Sequence, residues 1–227
     1  MPPAPTMCVL CPLEHERQAL AQRLATRAPV IELRTSGTNR EHVHRAVAEA
    51  SSRSPALLVL AGVAGAIREV TEPVPRITSI ESPHASTLRP THAPPGVAEH
   101  GITSAGLTPD VSSKRRLAAT SGATLVDYES RDFAAACIER KLNFAVVRGV
   151  SDGPNDELPP DAGLWISADG RTRLGMVVLS LIRGRATIGG LKQLQSRGNE
   201  ALNAVADTLI AMYQLLRDSP DALRVEP

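Results

Sequence analysis

Apolar and polar positions along the chain follow two periods. Short unbroken apolar runs at residues 7–13 (MCVLCPL), 55–66 (PALLVLAGVAGA) and 143–151 (NFAVVRGVS) read as strands buried on both faces. Between them, Leu, Ala and Val recur at helical spacing and predict helices over 14–25, 40–52, 111–122 and 129–141, with further strands over 30–37 and 123–128. The signal weakens over 70–110, where prolines cluster. There PVPRITSIES and HGITSAG predict one or two strands, joined by a mobile loop through 91–100. Two helices, 171–183 and 191–218, close the chain, and the run LGMVVLSLI at 174–182 reads as a buried helix, too short to span a bilayer.

Strands alternating with helices predict an α/β protein. The expected form is a three-layer α/β/α arrangement around a central mixed, mostly parallel twisted sheet, with ligands bound at the carboxyl ends of the strands. The 227 residues suit one domain, with 1–6 and 219–227 read as disordered tails.

Composition narrows the function. A hydrophobic share of 42% and a charged share of 22% are those of a folded soluble chain. Aromatic residues are so scarce (Tyr128, Phe133, Phe144, Trp165, Tyr213) that the core must be built from aliphatics, which makes the placing of Tyr128 informative. A net charge of +1, with no basic block longer than KRR at 114–116, disfavours nucleic-acid binding. Cys8, Cys11 and Cys137 read as core residues, because the C-x-x-C pair falls inside a predicted strand. The six histidines, His15, His42, His44, His84, His92 and His100, lack metal-ligand spacing and read as solvated surface. No metal and no cofactor are expected, and the absence of an apparent signal peptide points to the cytoplasm.

The strand ends carry the chemistry. They offer Glu16 after the first strand, Gly62, Val63, Ala64 and Gly65 in the third, Tyr128 and Glu129, then Arg148, Ser151 and Asp152. Singly, each charge has an ordinary explanation: Glu16 and Glu129 favour helix N-termini, Asp152 before Gly-Pro suits an Asx turn, and Arg148 suits a nearby acid. Converging on one cleft, the three carboxylates suit acid/base chemistry on a neutral hydroxylated substrate, such as cleavage of an N-glycosidic bond. An Asp152 buried beside another carboxylate would hold its proton and act as the acid.

Residues 126–152, VDYESRDFAAACIERKLNFAVVRGVSD, resemble the V-D/E-M-E-S/A … V-R-x-I-S-D signature of the nucleoside phosphorylase and nucleosidase family, which includes 5'-methylthioadenosine/S-adenosylhomocysteine nucleosidase. CPLEHERQAL, TSGTNREHVHRA and LAGVAGAI are similar to further segments of that family, over about residues 7–212, with 68–110 poorly matched. SSKRRLAATSGATLVDYES and SDGPNDELPPDAGLWISADGR are closer to its hopanoid-associated branch, to which removal of adenine from adenosylhopane is ascribed.

The resemblance implies that Glu16 activates water, Glu129 holds the ribose hydroxyls, Asp152 protonates the purine with Ser151 in support, and Arg148 holds charge in the cleft. It implies a nucleoside ligand, a homodimer and, for a hopanoid substrate, peripheral contact with a membrane. Tyr128 replaces the family methionine that packs on ribose. Leu60 stands where a phosphorylase would place a phosphate-holding arginine, which favours water over phosphate as the nucleophile. The alternatives are a phosphate-dependent purine nucleoside phosphorylase and an inactive nucleoside-binding protein of the same fold.

Overall fold

A computed structural model describes residues 6–82, 85–104 and 110–226. The strands are β1 (Met7–Cys11), β2 (Glu32–Thr35), β3 (Leu57–Ala66), β4 (Arg76–Ser82), β5 (Ala85–Leu88), β6 (Glu99–Ser104), β7 (Leu125–Asp127) and β8 (Phe144–Asp152). The helices are α1 (Glu14–Leu24), α2 (Arg40–Ser51), α3 (Val111–Thr120), α4 (Ser130–Glu139), α5 (Leu174–Ile182) and α6 (Ile188–Asp218). One sheet joins the strands in the order β2-β1-β3-β7-β6-β4-β5, with β8 paired along β3. Only the β3/β7 and β4/β5 pairings are antiparallel among the described residues, so the sheet is mixed and mostly parallel.

The period of two along the strands builds two cores. Met7, Val9, Leu57, Val59, Ala145 and Val147 face one side, where Leu20 and Leu24 of α1 and Leu202, Val205 and Leu209 of α6 cover them. Cys8, Leu10, Leu58, Leu60, Phe144 and Val146 face the other, beneath Val43 and Val47 of α2 and Phe133 and Cys137 of α4. This is the expected α/β/α layering. Each fully buried Leu, Val or Phe contributes about 1.5–3 kcal/mol. Gly149 lets β8 lie against α6, since a Cβ there would stand 2.7 Å from the Ala201 carbonyl oxygen.

β3 positions the site. Its first part pairs with β1 and β8, while its end, Gly65 and Ala66, turns to meet Val126 and Leu125 of β7. A register shift between Ala64 and Gly65 brings Asp152 opposite Gly65, with Arg148 opposite Gly62. The carboxyl ends of β1, β7 and β8 thereby open toward one cleft.

Several sequence expectations need correction. The apolar run 174–182 forms α5, but Ser180 is its only buried residue; Leu174 is 73%, Val178 53% and Ile182 77% exposed. The helix is tethered by polar contacts, Trp165 Nε1 donating to Ser180 Oγ (3.0 Å) and Ser180 Oγ to Asp161 Oδ2 (3.0 Å). Residues 219–226 are mostly exposed but anchored: Leu223 is fully buried and Val225 N donates to Thr91 O (3.1 Å). Thr6 is also tied down, its carbonyl accepting from Ala56 N (2.9 Å), while the tail expected over 1–5 and at 227 lies outside the described residues.

The same packing pins the start of the supposed loop 91–100. His92, Ala93 and Pro94 are buried, and His92 N donates to Phe144 O (3.0 Å). His92 is therefore not solvated surface, and burial lowers its pKa. His42, His44 and His100 are only partly exposed, His15 is exposed, and His84 lies outside the described residues. The hairpin strand β5 had no counterpart in the sequence reading.

Candidate active site

Glu16 occupies the first turn of α1, where one carboxylate oxygen accepts from Leu13 N (3.1 Å) and the other reaches Val63 N of β3 (2.9 Å). These two bonds fix a buried carboxylate between two elements. Burial raises its pKa, and the Arg148 guanidinium opposes that rise.

Arg148 fills the centre of the cleft and is fully buried. Its Nε and Nη2 both donate to Asp127 Oδ2 (2.9 and 2.6 Å), and Nη2 also donates to Glu129 Oε2 (3.1 Å). Asp127 is held in turn by the Ser130 hydroxyl on Oδ2 (2.5 Å) and by the Ser104 hydroxyl on Oδ1 (3.1 Å). One guanidinium thus faces the carboxyl groups of Asp127, Glu129 and Glu16. At Glu129, burial first, then the nearby Asp127 and Glu16 charges, push the carboxyl up to about 8 against the pull of Arg148.

The remaining nitrogen of Arg148, Nη1, is buried and has no hydrogen-bond partner among the described residues. It flanks Gly62 together with Glu16. A Cβ on Gly62 would lie 2.6 and 2.7 Å from the Glu16 carboxylate oxygens and 2.8 Å from Nη1. Only glycine leaves that space between donor and carboxylate.

At the other end of the cleft, Asp152 Oδ1 accepts from the Ser151 hydroxyl (2.7 Å), which also lies 3.2 Å from Ala64 O. Its Oδ2 is met by Lys114 Nζ at 2.5 Å. The charged group in contact with Asp152 is thus a buried ammonium rather than a second carboxylate. Lys114 comes from α3, whose C-terminal end is fixed by Arg68 donating to Ser121 O (2.8 Å) and Ala123 O (3.0 Å).

These groups line a cavity of about 330 Å³ with Glu16, Val63, Ala64, Gly65, Tyr128, Glu129, Arg148, Ser151 and Asp152 in its wall. Apolar surface from Leu13, Val126, Leu158, Ala162 and Ile166 completes the lining, a surface suited to a flat heterocycle. The structure brings every sequence-assigned residue except Gly62 into this wall, and Gly62 adjoins it through Glu16 and Arg148.

Two residues were missed, Asp127 and Lys114. Asp127 was visible as a strand-end carboxylate but had no evident partner. Lys114 was hidden in the KRR block, although its position three residues before Leu117 and four before Ala118 puts it on the inner face of α3, with Arg115 and Arg116 outside. The C-x-x-C pair has no joint role, because Cys8 and Cys11 point to opposite faces of β1.

No family model and no curated protein sequence matches the chain. Its fold does match solved structures. The 5'-methylthioadenosine/S-adenosylhomocysteine nucleosidase of Helicobacter pylori superposes with a TM-score of 0.65 at 11% identity, covering 93% of this chain and 98% of that one. Futalosine hydrolase of the same organism gives 0.62 at 10% identity, covering 91% and 96%. The 5'-methylthioadenosine nucleosidase of Arabidopsis thaliana gives 0.60 at 9% identity, covering 92% and 94%. The chain has the fold of these nucleosidases, over nearly its whole length and theirs.

Proposed function

We propose that the chain hydrolyses the N-glycosidic bond of an adenine nucleoside or adenosyl-linked compound. The convergence of Glu16, Arg148, Glu129 and Asp152 from separate strand ends in one cavity carries the reading. Breaking this bond builds positive charge on the sugar and negative charge on the base, so a nucleophile, a grip on the sugar and a proton are needed together.

Glu16 and Arg148 Nη1, on either side of Gly62, suit a water molecule that donates to the carboxylate and accepts from the guanidinium. Glu16 then takes a proton from that water as it attacks the anomeric carbon. Glu129, whose carboxyl is pushed up by burial, can hold the ribose hydroxyls. Asp152 passes a proton to the imidazole-ring nitrogen of the departing base. Leu60 is fully buried in the apolar core, so no cation holds phosphate at that position.

The test is adenine release from 5'-methylthioadenosine, S-adenosylhomocysteine and an adenosyl-hopanoid mimic, with and without phosphate, beside Asp152→Asn and Glu16→Gln. Release without phosphate that both substitutions abolish is the expected result. Strict phosphate dependence would make the protein a phosphorylase; binding of adenosine analogues without base release would make it a binding protein.

A finer reading concerns the substrate's 5' arm. From Gly170 to Asn199 the chain has no acidic residue and six cations, Arg171, Arg173, Arg183, Arg185, Lys192 and Arg197. Within it, Leu174, Val178 and Ile182 form an exposed apolar row on α5. The helix adjoins the turn Ala162–Trp165, and Ala162, Gly163 and Ile166 line the cavity. An apolar-faced helix flanked in the chain by cations, packed on a turn that lines the cavity, suits an anionic bilayer and a lipid-linked substrate such as adenosylhopane.

Co-sedimentation with phosphatidylglycerol vesicles, lost in Leu174→Ser/Ile182→Ser and absent with phosphatidylcholine alone, is expected. A change in oligomeric state with the same variant would instead assign the face to a homodimer.

A further inference from the structure

Lys114 is 1% exposed and contacts Asp152, yet it is absent from the cavity wall. Its ammonium fills its three donor positions on Asp152 Oδ2 (2.5 Å), Gly153 O (2.7 Å) and Asp156 O (3.1 Å). An ion pair this deep is a poor device for stability, because desolvating both charges offsets most of their attraction, and apolar replacements are often neutral or better. The inner face of α3 could be closed by a leucine. The placement of the pair, with the carboxylate toward the ligand and the ammonium behind it, suits chemistry better than packing.

We infer that Lys114 is the proton reservoir behind Asp152, supplying through that carboxylate the proton the leaving base requires. This rests on the hydrolase reading. In the ion pair the transferable proton is on Nζ. As the glycosidic bond breaks, its electron pair goes to the base, the base takes a proton from Asp152, and Asp152 takes one from Lys114 Nζ. The neutral amine keeps its two remaining N–H bonds on Gly153 O and Asp156 O. Water's oxygen joins the anomeric carbon and its proton goes to Glu16. Solvent then reprotonates Lys114 and deprotonates Glu16, so one water is consumed and nothing is oxidised. Lys114 touches no substrate, and is a positioning residue acting through Asp152.

The experiment compares wild type, Lys114→Met and Lys114→Arg on two substrates: the adenine nucleoside that wild type cleaves fastest, and p-nitrophenyl β-D-ribofuranoside, whose nitrophenolate departs without a proton. Lys114→Met is expected to lower kcat on the adenine nucleoside by about 10²–10⁴-fold with little change in KM, and to leave nitrophenyl riboside turnover within about threefold. Lys114→Arg keeps the charge but does not release a proton, so it should stay slow on the adenine nucleoside.

Equal losses on both substrates would mean a structural role and overturn the proposal. Undiminished adenine release in Lys114→Met, or its rescue by arginine, would also overturn it. A folded wild type inert toward both substrates would sink the hydrolase reading, and the relay with it. Should Lys114→Met melt below assay temperature, Lys114→Gln takes its place in the comparison.

Discussion

Gly62→Ala adds one methyl group between Glu16 and Arg148. The new Cβ would stand 2.6 Å from the nearer Glu16 oxygen and 2.8 Å from Arg148 Nη1. Non-bonded heavy atoms are comfortable at about 3.5 Å, so the carboxylate must retreat by about 0.9 Å. It is held by Leu13 N at 3.1 Å and Val63 N at 2.9 Å, and a retreat of that size breaks at least one of these bonds. A lost hydrogen bond to a buried charge, added to local overpacking, costs about 2–4 kcal/mol in stability. For a domain of this size that is a fall in melting temperature of about 5–15 °C. The chemical effect should be larger than the thermal one, because displacing a catalytic group by about 1 Å costs roughly a hundredfold in rate. Differential scanning fluorimetry and adenine release measured together make the check. An alanine variant within threefold of wild-type kcat/KM would refute the placing of the nucleophile beside Gly62.

Three further outcomes are expected. Glu129 is raised from its ordinary 4.5 to about 8 on folding, so it contributes stability that is fully present below about pH 4.5 and lost as pH rises through 8. At about 1.4 kcal/mol per pH unit that loss is at most about 5 kcal/mol, and Glu129→Gln should flatten the fall seen in urea melts between pH 5 and 9 while abolishing turnover. Asp127→Ala removes the acceptor of two buried Arg148 hydrogen bonds and should cost about 3–5 kcal/mol in the same melts; a loss below 1 kcal/mol would contradict that pairing. Burial raises the thiols of Cys8, to about 11, and of Cys11 and Cys137, so a thiol reagent at pH 8 should find none of the three in the native protein and all three in denaturant.

What the sequence disclosed follows the range of the physics involved. Alternation within β1, β3 and β8 is local, and it was readable residue by residue. Glu16, Glu129 and Asp152 were legible only jointly, because caps and turns explain any one of them better than all three at successive strand ends. Pairings across the chain were not legible. That Asp152 meets Lys114, 38 residues away, depends on how α3 is laid against β8. Hydropathy also misjudged α5, because an apolar run reports what water disfavours and not whether another element exists to cover it. The tail 219–226 was misjudged in the opposite direction: one buried side chain, Leu223, and backbone bonds to Thr91 and Ala93 anchor it, and neither leaves an apolar pattern in the sequence.

Between Val150 and Leu202 no residue belongs to either large core, yet this stretch supplies Leu158, Ala162 and Ile166 to the cavity wall. It is fastened to the body largely by polar ties, among them Lys114 to Gly153 O and Asp156 O, Arg197 to Asp156 (2.7 Å), and Thr38 N to Ala168 O (2.9 Å). Opening such a cover exposes little apolar surface, so its local unfolding free energy lies far below that of the sheet. A protease given brief access to the native protein would make its first cuts there and leave the strands whole.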